Sequence, residues 1–131
     1  MKTLEKLREE YNNLNKKWNT IYRKIVELEQ QEVTNTFTVG DCYLDTYCKS
    51  FKKVIALDGN VLYCMVVNNE SILKDIYYLY DTKCWKKITS EQFKDIYLAV
   101  LKDIQNPDLD DKESNWLTVY KSIMNSINKG E

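Results

Sequence analysis

Residues 4–28 read LEKLREEYNNLNKKWNTIYRKIVEL, and their apolar side chains Leu4, Leu7, Tyr11, Leu14, Trp18, Ile21, Ile25 and Leu28 are spaced alternately by three and four. Such spacing puts all eight on one stripe of an α-helix, as the a and d positions of four heptads. The residues between them are mostly Lys, Glu, Asn and Arg, and no glycine or proline occurs before Gly40. A helix of roughly 28 residues, about 42 Å long, is therefore predicted. Gln31-Glu32-Val33-Thr34-Asn35-Thr36 loses the period and gains β-branched residues, so the helix should stop near residue 31.

The apolar stripe is narrower than the face a helix usually lays on a globular core, and it reads as a helix–helix seam. Its d positions, Leu7, Leu14, Ile21 and Leu28, suit a coiled coil. Tyr11 and Trp18 at a are too large for the core of a parallel two-stranded pair. They fit an antiparallel pair, a larger bundle, or packing against the chain's own C-terminal helices. Lys24 and Glu29 have the g-to-e′ spacing that pairs charges between parallel helices. The expectation is a homo-oligomer formed through this helix, with residues 1–32 as a heptad segment and residues 33–131 as one compact unit.

Past residue 36 the pattern changes to β-branched and aromatic runs bounded by turn residues. The clearest hairpin joins residues 51–57 to 61–67 across Asp58-Gly59-Asn60. Further strands are expected at 37–44, 76–81 and 84–88, making four or five short antiparallel strands in a strongly bent sheet or a small SH3-like barrel. Thr89-Ser90-Glu91-Gln92 is a capping box opening a helix with Phe93, Ile96, Tyr97, Val100, Leu101 and Ile104 on its apolar face, ended by Asn106-Pro107. A last helix is expected from about Lys112 to Asn128, with Trp116, Val119, Tyr120, Ile123, Met124 and Ile127 on one face and Gly130 after it. The fold class is α+β.

The chain has 131 residues, a net charge of −1 and no histidine. One core of that size can support a domain without disulfides or a structural metal. Histidine-based triads and histidine-ligated metals are excluded, and with three glycines a Gly-rich phosphate loop has no support. Cys42, Cys48, Cys64 and Cys84 form no Cys-x-x-Cys pair, so they are read as small apolar residues and not as zinc ligands. Asp108, Asp110, Asp111 and Glu113 fail the calcium-loop pattern, because counted from Asp108 Lys112 stands where the fifth-position oxygen ligand belongs. They read as acids favouring the N-terminus of the last helix. No cofactor or metal is expected, and no spacing joins a nucleophile to a base, so no enzymatic activity is expected either.

Lys49, Lys52, Lys53, Lys83, Lys86 and Lys87 with Trp85 could form a basic, aromatic surface of the kind that binds single-stranded nucleic acid. Residues 33–88 nevertheless hold seven Lys against six acids, so a solvated strand face is the favoured reading and nucleic acid a disfavoured partner. The charged N-terminus is unlike a signal peptide, and no stretch is apolar enough for a membrane span. A cytoplasmic protein of a bacterial host cell is expected. The abundance of Lys, Asn, Ile and Tyr suggests AT-rich coding, and hence a low-GC bacterium, a phage or a mobile element. The expected function is that of a non-enzymatic accessory protein that binds another protein, oligomerises, and inhibits a larger host complex. A nucleic-acid-binding module and a phage virion or assembly component are the alternatives. The identity of the protein partner is not encoded in any motif.

Overall fold

The computed structural model describes residues 3–106 and 114–129. Helix α1 spans Leu4–Thr36, opened by the Thr3 hydroxyl, which accepts from the Lys6 backbone N–H at 3.3 Å. Five antiparallel strands follow: β1 (Cys42–Asp45), β2 (Ser50–Asp58), β3 (Val61–Val67), β4 (Ile72–Tyr78) and β5 (Trp85–Ile88), with a 3-10 turn at Leu79–Thr82 between the last two. Helices α2 (Ser90–Gln105) and α3 (Asn115–Asn128) complete the chain. The expected α+β class is what the chain adopts.

The sheet order is β4-β3-β2-β1-β5. Its two ends do not pair, so the sheet is open and the SH3-like barrel is not formed. The β2–β3 hairpin closes as expected: Asp58 pairs with Val61, and Gly59 takes φ +61° at the first of the two loop positions, where this hairpin turn needs glycine. A bulge between Val54 and Ala56 accommodates one extra residue on β2.

Both faces of the sheet are covered. On one, Cys42, Leu44, Phe51, Val67 and Ile88 meet Phe93, Ile96 and Val100 of α2 and Trp116 and Ile123 of α3. The capping box is present, with the Gln92 N–H donating to the Thr89 hydroxyl and the Thr89 N–H donating to the Gln92 side chain. Asp103 of α2 then accepts from the backbone N–H groups of Asn115 and Trp116 and from the Asn115 side chain, all at 2.9–3.0 Å. This one carboxylate satisfies orphan donors of the first turn of α3 and fixes it to α2. The acidic run at 108–113, to which the sequence assigned a similar role, lies outside the described residues, as does Gly130.

The opposite face is covered by Val33 and Phe37, which join Tyr43, Val54, Leu62, Cys64 and Val66, with Tyr77, Leu79 and Trp85 packed around them. Here the structure corrects the expected end of α1. The helix continues to Thr36, so a boundary after residue 32 falls inside it. Val33 is fully buried, and that burial outweighs the weak helix propensity of Val33, Thr34 and Thr36. The 37–44 strand correspondingly shortens to Cys42–Asp45, and the 76–81 strand shifts to Ile72–Tyr78.

Candidate interaction surface

The helix α1 carries two stripes. Val26 and Glu29 are half-buried and Val33 is buried, and these three follow each other by three and four residues. Val33 sets the helix on the sheet, in the cluster with Tyr43, Val54 and Leu62. At 100° per residue the heptad seam lies about 100° further round the helix at this end. All eight seam residues, Leu4, Leu7, Tyr11, Leu14, Trp18, Ile21, Ile25 and Leu28, are exposed, at 44–67% of their full surface. Packing of the seam on the C-terminal helices is therefore not what this fold does. Before Val26 no residue of the described helix is buried or half-buried, so roughly 22 residues, about 33 Å, project without support from the sheet. Tyr22, also exposed, sets its ring 5.9 Å from that of Trp18 and widens the apolar stripe there.

Contiguous exposed apolar stripes of this length are rare on monomeric soluble proteins. Of the Lys24–Glu29 pair expected between parallel helices, Lys24 is exposed and lies 3.8 Å from Glu27 of its own helix, and Glu29 is half-buried.

The basic surface suggested by the sequence is divided. Cross-strand register puts Lys53 and Lys86 on the face of Cys42 and Leu44, and Lys52, Trp85 and Lys87 on the other. Lys49 sits in a turn at φ +55°, and Lys83 ends the 3-10 turn. Lys87 is exposed and lies 3.7 Å from Asp41. Lys52 is not on the surface at all: it is 2% exposed.

Its ammonium donates to Asp45 at 3.1 Å and to the Ser50 hydroxyl, and lies 5.1 Å from the ring centre of Tyr77 and 5.7 Å from that of Trp85. Trp85 is held in turn against Phe37, Tyr43 and Tyr77 at 5.3–6.1 Å. Burial works against the Asp45 carboxylate, but the backbone N–H groups of Cys48 and Tyr47 and the Lys52 ammonium outweigh it and hold its pKa below the usual value. The arrangement ties β1, β2, β4 and β5 together around one charge. Lys52 thus turns its ammonium into the cluster and adds no cation to the exposed surface.

Burial raises the thiols of Cys42 and Cys64, the latter to about 12, and the two lie on opposite faces of the sheet; Cys48 and Cys84 are exposed. Among the described residues no group of three Cys, Asp or Glu side chains could hold a metal ion, and no helix is long and apolar enough to cross a membrane. No family model, curated protein or solved structure matches this chain.

Proposed function

We propose that this chain is a non-enzymatic binding and assembly protein whose working surface is the seam of α1. The observation that carries the reading is the separation of the two stripes: Val33 anchors the helix on the sheet, with Val26 and Glu29 half-buried on the same side, while the seam residues Leu4 through Leu28 are exposed for a partner. A helix that needed only to cover the sheet would not require about three heptads, residues 4–25, in front of its first half-buried residue. The coding bias fits a low-GC bacterium or one of its phages or mobile elements, and a phage or mobile-element origin would suit an accessory role in which a host protein complex is bound and inhibited. A nucleic-acid module has less support, because Lys52 is buried and the remaining lysines are split between two faces.

The test is a Leu14→Glu/Ile21→Glu variant beside the wild type. The variant should keep its unfolding midpoint within a few degrees, because neither residue touches the sheet, while losing self-association and any protein captured by the wild type from a bacterial extract. A variant that unfolds would show that the seam belongs to the fold. Unchanged association and capture would show that the seam is not the working surface.

A further inference from the structure

Resting on that reading of α1, we propose that the seam is occupied by a second copy of this chain, packed antiparallel with Leu4 of one helix level with Leu28 of the other. The argument begins from side-chain size. In a parallel pair each a residue meets itself, so Tyr11 would face Tyr11 and Trp18 would face Trp18, which a two-stranded core does not accommodate. Reversing one helix and pairing residues whose numbers add to 32 matches every a with a d. Leu4 meets Leu28, Leu7 meets Ile25, Tyr11 meets Ile21 and Leu14 meets Trp18, each layer then repeating across the two-fold axis. Both aromatics meet an aliphatic side chain, which is the large-on-small alternation that fills a core.

Register follows from the area. Sliding by one heptad in either direction leaves six layers in place of eight, and two apolar side chains of each copy overhang into water. At 44–67% exposure, the eight side chains present on the order of 800 Å² per copy, so full overlap removes about 1,500 Å² from water, inside the range of roughly 1,200–2,000 Å² typical of stable interfaces. Charge agrees in the main. Antiparallel pairing sets g beside g′, which brings Glu10 within a turn of Lys24 of the second copy, twice per dimer. Lys17 meets its own copy once at the axis, where both side chains can turn into solvent. The anchored sheet units then sit at opposite ends of the rod.

The experiment uses the full chain with Cys48→Ser and Cys84→Ser, which removes the exposed thiols. Leu7→Cys chains are mixed with Ile25→Cys chains, oxidised with glutathione disulfide and analysed by mass, while the wild type is sedimented at tens of micromolar. The expected result is a two-chain species, with a disulfide forming between unlike chains and not within either chain type alone. Disulfides between like chains would overturn the antiparallel orientation, and a dimer that forms neither would overturn the register. A monomeric wild type would overturn the second copy as occupant. Seam-dependent capture of another protein by that monomer would still leave the binding role of α1 standing, so the two failures are distinguishable.

Discussion

Replacing Asp45 by Asn would leave the Lys52 ammonium buried with Ser50 and two aromatic rings but no counter-charge. Breaking one partner of a buried pair costs about 3–5 kcal/mol, so Asp45→Asn should lower stability by that order, while Asp45→Asn with Lys52→Met should recover most of the loss. Denaturant unfolding of the two single variants and the double variant measures this coupling. The pH dependence has a definite sign. A carboxylate held below its unfolded value, about 3.9, contributes stability above that value and loses it as pH falls through its folded one. The deficit of Asp45→Asn should therefore shrink as the pH falls below about 4, and a deficit independent of pH would show that the charge of Asp45 does not contribute to stability. Thiols report on the same scale: in the native protein Cys48 and Cys84 should react with a disulfide reagent, and Cys42 and Cys64 only after unfolding. The role of Lys52 was not legible in the sequence. Alternation separates inward from outward residues only when one face of a sheet is wet, and here both faces are covered.

At the scale of the element, α1 was half legible. Its existence and its seam follow from a period sustained over four heptads, which no strand or loop imitates. The anchoring stripe was missed because it consists of only Val26, Glu29 and Val33, with a charged residue among them, and because its partner surface exists only once the sheet has formed. The two stripes make opposite predictions for shortening the chain. A protein beginning at Val26 keeps every residue of α1 that is buried or half-buried, so it should unfold cooperatively with a midpoint close to that of the full chain, and it should be monomeric. A protein beginning at Thr34 also loses the burial of Val33, a cost of about 1.5–3 kcal/mol, and uncovers Tyr43, Leu62 and Cys64. Thermal unfolding of both, with sedimentation, separates anchor from seam. Equal destabilisation by the two truncations would mean that the seam contributes to the fold. Asp103 shows the same limit of sequence reading, since its role depends on where α3 begins in space and not on its neighbours in the chain.

For the whole molecule, the hairpin, the capping box and the apolar faces of α2 and α3 were each written locally and were legible. The sheet order was not, because it depends on β5 returning to pair with β1, across the sheet from β4. A barrel would require β4 and β5 to meet. Instead Val33, Phe37, Leu79 and Trp85 pack with Tyr43, Val54 and Leu62 on one face, and each sheet face acquires a core of its own. That arrangement decides how charge is displayed. Lys52 is withdrawn, Lys87 lies beside Asp41, Lys53 and Lys86 point to the face opposite Lys87, and the chain as a whole carries −1. Binding to a polyanion depends on several cations acting together, since each phosphate neutralised adds to the counterions released and to the salt dependence. With the candidate lysines spread over two faces and two turns, the protein should pass through single-stranded DNA or RNA immobilised at low salt without retention. Substituting Lys49, Lys83, Lys86 and Lys87 by Gln should leave both that result and the association through α1 unchanged. Retention that weakens steeply with salt and is lost in the Gln variant would place a polyanion surface on the sheet and displace the α1 seam as the principal working surface.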